Sequence, residues 1–404
     1  MDTREMGWRP AERVRGMGES VFTEMTELAR RTGAVNLGQG VPELDGPRPL
    51  LEEAAAAVLA GANQYPPAYG FPALREAVAG HQRRRYGLEY APQGEVLVTT
   101  GATEAIAAAL MALCDPGDEV LAFDPCYDAY PAVARFAGAR LVPVPLAEET
   151  AGEATGGTAG GAPGFALDLD ALRAAVTGRT RVLMLNTPHN PTGKVFTAAE
   201  LAAIAELCRE RDLTVVTDEV YEHLVYDDAP HRTIAALPGM RERTLTISSA
   251  GKTFNVTGWK VGWVCGPARL VSAVAAAKQF LTYASGTPYQ EALARALGGV
   301  EEWAGELRRT LRRNRDLLSE GLTRAGLRPY RAEAGYFLQA DIRAWGHADG
   351  VRFCRELPLR AGVVAIPTSA FQLAPDAPSH LVRFSFCRRE KSVIEAVEKL
   401  IAAA

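Results

Sequence analysis

The stretch "EVLVTTGATEAIAAALMALCDPGDEVLAFDP", Glu95 to Pro125, decides the fold class. A short apolar run stops at Gly101, a segment of helical composition follows, and a second apolar run closes it. The alternation continues along the chain. "YDAYPAVARFAG" reads as helix and "ARLVPVPL" as strand, while "RVLMLNTP" and "LTVVTDEV" flank the amphipathic "AAELAAIAELCRERD". "TLTISSAG" is a further strand. Strands alternating with helices predict an α/β fold: an open, mostly parallel sheet with helices on both faces. Ligands of such sheets sit beyond the C-terminal strand ends. The residues expected there are Gly101, Pro125, Asn186, Asp218 and Ser249.

The flanks read differently. "AEETAGEATGGTAGGAPG" is rich in Gly, Ala and Thr without periodicity, which predicts a mobile surface insertion between two strands. After about Gly299 a charged helix, "EEWAGELRRTLRRNRDLLSEGLTRAG", leads into "YFLQADI" and "LVRFSF", a smaller α+β domain. The expected division is an N-terminal arm (1–45) joining the small domain, a large domain (46–298) and the small domain (299–404). No internal repeat is visible.

Composition narrows the class. The chain has 404 residues, 48 % apolar and 23 % charged, the balance of an ordinary globular protein. A net charge of −4 and the lack of a long basic run give no attraction to nucleic acid. No uncharged apolar run reaches the ~20 residues that span a bilayer, and the N-terminus lacks the apolar core of a signal peptide. The six cysteines are scattered with no Cys-x-x-Cys pair, and the six histidines form no ligand pair at helical spacing. No metal site is expected, and the setting reads as reducing and cytoplasmic.

Six motifs carry candidate chemistry. In "ISSAGKTFNVTGWKVGW" Lys252 follows a strand among small residues, where backbone can approach a ligand and a lysine of lowered pKa can form a Schiff base. "TTGATEA" places Gly101, Ala102 and Thr103 at a helix start, where backbone N–H groups bind phosphate, with Ser249 and Lys260 able to add a hydroxyl and a cation. "LNTPHNPTGKVF" holds Asn186 and Asn190 around two prolines. In "TVVTDEVYEHLVYD" Asp218 ends an apolar strand, a costly place for a carboxylate unless it meets a cation, and Tyr221 follows on the same side. "DPCYDAY" offers Tyr127 as a stacking ring, and "HLVRFSFC" offers Arg383 as a fork for a carboxylate. Each motif alone also suits a surface lysine, a capping turn, a plain loop or a core tyrosine. Their joint order is what distinguishes them.

Taken together, and with "VNLGQGVPELDGP" and "NQYPPAYGFPALREAVA", the set resembles the fold-type-I, pyridoxal-phosphate-dependent aminotransferases of class I/II over nearly the whole chain. "NQYPP", "GATEAIAAAL", "TPHNPTG" and "AGKTFNVTGWKVGW" are most similar to the kynurenine/glutamine transaminase branch and to actinobacterial N-succinyldiaminopimelate aminotransferases. The resemblance implies pyridoxal 5′-phosphate as cofactor and roles for individual residues. Lys252 is implied as the cofactor-bearing lysine and general acid/base, and Asp218 as the partner of the pyridine nitrogen. Asn190 and Tyr221 would donate to the cofactor's 3′-oxygen, with Asn186 in support and Tyr127 stacked. Gly101, Ala102, Thr103, Ser249 and Lys260 correspond to the phosphate cup. Arg383, with Gly40 and Asn190, would grip the substrate α-carboxylate, and Phe22 holds a pocket-aromatic position. Tyr65 corresponds to a tyrosine given by the neighbouring subunit, which implies a homodimer.

Two departures stand at the expected substrate entry: Val41 where the branch carries an aromatic, and Glu43 where it carries aspartate. They bear on amino-acid preference. The implied reaction is a ping-pong transfer between an amino acid and a 2-oxo acid, plausibly 2-oxoglutarate. A Cβ–S lyase shares every residue up to the carbanion and remains open as an alternative. A non-catalytic, cofactor-binding regulator would need an N-terminal DNA-binding head, and only about twenty residues precede the family match.

Overall fold

The computed structural model describes residues 9–18, 20–149, 161–227, 230–373 and 380–404. An eight-stranded sheet runs, in spatial order, through Val96–Thr99, Gly262–Cys265, Thr244–Ser249, Thr214–Asp218, Thr180–Asn186, Glu119–Asp124, Arg140–Glu149 and Gly164–Leu167. Neighbours pair in parallel except at two places. Gly262–Cys265 is antiparallel to both of its neighbours, and Gly164–Leu167 is antiparallel to Arg140–Glu149.

Successive residues of a strand feed opposite faces. In Thr180–Asn186, Val182 and Met184 enter a core with Ile106, Leu110 and Val120, whereas Leu183 and Leu185 pack with Phe196, Ile204 and Val215. The helices Gly101–Leu113 and Ala268–Lys278 cover the first face and Ala198–Glu210 the second. Both faces are therefore covered, which is why the parallel strands are apolar throughout. Ala198–Glu210 starts at a capping box: Thr197 accepts from the Glu200 amide and Glu200 from the Thr197 amide.

A second, four-stranded antiparallel sheet joins Arg328–Pro329, Phe337–Asp341, Leu381–Ser385 and Ile366–Pro367. The helices Val300–Arg324 and Glu390–Ala402 pack together beside it. The N-terminal helix Val21–Thr32 sits in the same core: Met25, Ala29 and Leu37 bury with Phe353, Leu357 and Val364. Val35–Asn36 pairs in parallel with Val363–Val364.

The glycine-rich segment needs a correction at its ends. Ala147–Glu149 continue the strand Arg140–Glu149 and pair with Gly164–Ala166, so the strand ladder reaches further than composition predicts. Residues 150–160 of that segment lie outside the described residues.

Candidate active site

The strands Thr180–Asn186, Thr214–Asp218 and Thr244–Ser249 end side by side, and Asn186 pairs with Asp218 and Asp218 with Ile247 across the ladder. A cavity of about 390 Å³ opens above these ends. Phe22, Gly40, Gly101, Ala102, Thr103, Tyr127, Asn186, Asn190, Asp218, Tyr221, Ser249, Lys252, Lys260 and Arg383 all line it. The N-terminal segment, the large sheet and the small sheet thus meet at one place.

Asp218 is buried, and its Oδ2 accepts the Tyr130 hydroxyl at 2.7 Å while Oδ1 accepts the Val220 amide at 3.3 Å. Burial pushes this carboxyl up to about 6 against the opposing pull of those donors and of Lys252. Its main-chain oxygen accepts from Asn186 Nδ2 at 2.9 Å, and Asn186 Oδ1 accepts the Asn190 amide at 2.7 Å. The asparagines therefore lock the loop "TPHN" onto the strand end.

Lys252 is the third residue of the short helical turn Ala250–Thr253, which begins where Ser249 accepts the Gly251 amide at 3.1 Å. Its Nζ lies 5.7 Å from the ring centre of Tyr221 and 5.2 Å from that of Tyr336. Burial lowers its pKa, which favours the neutral, nucleophilic amine.

The helix Gly101–Leu113 starts without a cap from the Thr100 side chain, and the Thr100 amide itself donates to Glu104 Oε2 at 2.5 Å. Lys260 takes a left-handed backbone (φ +53°) and brings Cε and Nζ against Gly101, 3.4 Å from where a Cβ there would stand. A Cβ on Gly262 would lie 2.7 Å from the Gly101 carbonyl carbon. Only glycine lets the antiparallel strand pass this close, which seats Lys260 beside the helix start.

Arg383 alternates with Val382 and Phe384 on the strand Leu381–Ser385. Those neighbours enter the small-domain core, so Arg383 points the other way, into the cavity. It is 2 % exposed. Its Nη1 donates to Asn190 Oδ1 at 3.0 Å and its Nη2 to the Gly38 carbonyl at 3.1 Å, while Nε has no partner. Phe337 and Phe371 flank it, with ring centres 3.7 and 4.3 Å from the guanidinium carbon. Burial pulls its pKa down to about 9. A buried guanidinium with no carboxylate bonded to it is an incomplete ion pair.

A model of the class I and II aminotransferases matches residues 32–400. The chain belongs to that family. It is 51 % identical, over 96 % of its length and 97 % of the relative's, to a probable N-succinyldiaminopimelate aminotransferase of Mycobacterium tuberculosis. The solved structure of the N-succinyldiaminopimelate aminotransferase of that organism superposes with a TM-score of 0.93, covering 98 % of this chain and 100 % of that one at 51 % identity. A methionine aminotransferase of Escherichia coli is 39 % identical over 97 % of both chains. The architecture is that of the fold-type-I enzymes, and the protein is a pyridoxal-phosphate-dependent aminotransferase.

The residues present fit that cofactor. The helix start at Gly101 and Lys260 would suit a phosphate, Asp218 is a buried carboxyl suited to a cationic ring nitrogen, and Lys252 is an amine whose pKa burial lowers.

Several residues escaped the sequence reading. Tyr130 is one, although it stands in the quoted "DPCYDAY". Its helical spacing from Tyr127 is the signal that was there to find. Phe337, Phe371, Gln39 and Asp128 also line the cavity. One expectation is corrected. Val41 lines the cavity, but Glu43 does not: its carboxylate accepts from Arg388 Nη1 at 3.3 Å, the Arg389 amide at 3.0 Å and the Ser392 hydroxyl at 2.9 Å. Glu43 caps the helix Glu390–Ala402 and fastens the N-terminal segment to it. Tyr65 lies outside the lining, 80 % exposed, with its ring edge-on to Tyr283 at 5.6 Å.

Sequence spacing also hid a histidine cluster. His81, Glu222 and His223 converge, buried, with ligand-type atoms within 4.8 Å of one another. The His81 and His223 Nε2 atoms are 2.9 Å apart, a hydrogen-bond distance. Burial lowers the pKa of His81 and takes His223 and His189 down to about 3. An unfolded chain takes up protons on these rings below about 6.5, and the folded chain does not. Stability is therefore full above that pH and falls as pH drops toward 3. Asp218, raised to about 6, and Asp128, also raised by burial, work in the opposite sense below their folded values, whereas Glu222, lowered to about 2, acts with the three histidines and tips the balance their way. The melting temperature of the cofactor-free protein should fall steadily from pH 7 to pH 5. A flat or rising profile would contradict neutral buried imidazoles.

Proposed function

We propose that the enzyme moves the α-amino group of an amino acid onto a 2-oxo acid, with 2-oxoglutarate as acceptor, in a ping-pong cycle. Candidate donors are N-succinyldiaminopimelate, glutamine, methionine and aromatic amino acids. The first is the substrate named for the Mycobacterium tuberculosis relative, and methionine is named for the Escherichia coli one. The observation that carries the reading is Arg383, which lines the same cavity as Lys252 and is a buried cation hydrogen-bonded to no carboxylate among the described residues.

Bound pyridoxal phosphate supplies a carbonyl carbon for the amine and a ring that spreads the charge left at Cα. In this reading Lys252 Nζ, its pKa lowered by burial, removes and returns the substrate's Cα proton. Asp218 holds the proton on the ring nitrogen, and Tyr130 holds Asp218. Gly101, Ala102 and Thr103, with Ser249 and Lys260, take the phosphate. Asn190 and Tyr221 donate to the cofactor's 3′-oxygen, Asn186 fixes Asn190, and Tyr127 stacks on the ring. Arg383, Asn190 and Gly40 take the α-carboxylate, with Phe22 over the side chain.

The same reading assigns Tyr65 to a partner's site in a homodimer. Its support is the exposure of Tyr65 itself, 80 % exposed with its ring against Tyr283, on a chain that also leaves Phe280 and Leu59 84 and 89 % exposed. It also treats 46–298 as the cofactor-binding unit, with 1–45 joined to 299–404. We place the enzyme in the cytoplasm, where its six buried, free cysteines stay reduced. No helix among the described residues is long and apolar enough to cross a membrane.

Arg383→Lys tests the reading. Lysine keeps the charge but not the fork, so kcat/KM for an amino acid should fall by about 2–5 kcal/mol. The corresponding decarboxylated amine, a poor substrate already, should lose little more. Equal losses for acid and amine would remove Arg383 from the carboxylate site. A panel of amino donors assayed on the parent enzyme then orders the candidates.

A further inference from the structure

The stretch Asp218 to His223 faces two ways. Asp218 and Tyr221 line the cavity, whereas Glu222 and His223 are buried away from it. Glu222 accepts the Ser248 hydroxyl at 2.6 Å and the Tyr86 hydroxyl. His223 Nδ1 lies 3.3 Å from the Thr253 hydroxyl. Ser248 precedes the turn that carries Lys252 and Thr253 is its last residue, so the two stand on either side of Lys252, and both are fully buried. The turn is held elsewhere by its carbonyls: Trp303 Nε1 donates to Thr253 O at 2.9 Å and Tyr336 to Lys252 O at 3.3 Å. Glu222 and His223 are the side chains that grip hydroxyls on either side of Lys252.

The imidazole pair has a preferred arrangement of protons. At 2.9 Å the two Nε2 atoms share one proton. If His81 donates, the proton of His223 sits on Nδ1 and points at the Thr253 hydroxyl. The atom left without a partner is then His81 Nδ1, an acceptor. The reverse arrangement would leave a buried N–H without a partner, the rarer and costlier defect. His81 thus fixes which face of His223 meets Thr253.

We propose that Glu222 and His223 are positioning residues for Lys252, an inference that rests on Lys252 being the working amine. They anchor the backbone before and after it, so that Nζ emerges between the rings of Tyr221 and Tyr336. Without the anchors the turn loosens, the amine gains water and its pKa returns toward that of an ordinary lysine. Glu222 and Asp218 share one short stretch, so the partner of the ring nitrogen and the anchor of the lysine move as one unit.

The test reads Lys252 directly in the cofactor-free protein. A limiting amine-acylating reagent is applied across a pH series, and the Lys252 peptide is quantified by mass spectrometry. Asp218, Cys387, Arg383 and Lys260 face Lys252 from other elements and stay unchanged in every variant. Thr253→Val removes one hydroxyl at nearly constant volume, and His223→Leu removes the ring. Both should raise the midpoint of Lys252 by about one pH unit. In the holoenzyme both should lower kcat about tenfold with little change in KM. His223→Asn, whose amide reaches the place of Nδ1, should recover most of both effects. If His223→Leu fails to fold, Thr253→Val carries the test alone. A Thr253→Val protein with the parental Lys252 midpoint and kcat overturns the proposal, whatever its melting temperature. So does one equivalent of zinc in the parent that is lost in His223→Leu, because a metal would then hold both Nε2 atoms. The acylation titration reads the free Lys252 amine in the cofactor-free protein, whichever residue holds the cofactor in the holoenzyme. Failure of this proposal is therefore distinct from failure of the assignment of Lys252, which Lys252→Ala tests.

Discussion

Lys252→Ala protein should bind pyridoxal phosphate and no longer hold it covalently. The helix start at Gly101, Lys260 and the buried carboxylate of Asp218 all survive the change, so the phosphate and ring contacts remain. Borohydride treatment should add the cofactor's mass to the parent and nothing to the variant. Turnover should fall by at least ~10²–10⁴-fold, the range for loss of a positioned proton-transfer group, since the same amine also holds the cofactor. Lys260 is the other lysine lining the cavity among the described residues, and it stands against Gly101, where the proposed function gives it the phosphate. If the variant were labelled at the parent's stoichiometry, some other lysine would hold the cofactor and the assignment would fail.

Asp218→Ala should cost about 3 kcal/mol in the barrier, the size of one strong, pre-placed electrostatic group in a poorly solvated site. The carboxyl is buried and pushed up to about 6, so a nearby cation would stabilise its charged form, and the proposed function supplies one in the ring nitrogen. Alanine removes that charge and also leaves the Tyr130 hydroxyl without its acceptor. Tyr130→Phe separates the two effects: it deletes the hydrogen bond, keeps the carboxylate, and should cost about 1 kcal/mol. Steady-state kinetics on both variants decide the matter. Near-parental turnover in Asp218→Ala would remove it from the mechanism.

What the sequence showed depended on whether the signal was local. Asp218 and Asn186 stood out because a carboxylate and an amide ending apolar runs need a reason to be there. Arg383 stood out for the same reason inside "LVRFSF". The parallel strands were legible because burial on both faces makes them continuous apolar runs. The antiparallel strand Gly262–Cys265 was not, because "GWVC" is four residues long and carries no alternation. Tyr130 reads as an ordinary core tyrosine, and only the fold brings its hydroxyl to Asp218. His81 meets His223 across 142 positions, which no spacing rule spans. Glu43 was misplaced because proximity along the chain to Gly40 suggested the cavity, whereas capping the C-terminal helix was the stronger electrostatic demand.

The strand order carries a consequence for how the enzyme is made. Among the described residues Val96–Thr99 has a single partner in the sheet, Gly262–Cys265, so this edge of the sheet, which leads into Gly101, cannot be completed until the ribosome has passed residue 265. Val35–Asn36 waits for Val363–Val364, and Gly38 and Asn190 wait for Arg383. A growing chain can fold the run of parallel strands from Glu119 to Ser249 in order of synthesis. It cannot yet close the cradle or the carboxylate site. The cavity draws part of its lining from near both ends of the polypeptide, Phe22 and Gly40 at one and Arg383 at the other, and a truncated product, however well its central sheet folds, leaves the ribosome with that cavity unfinished.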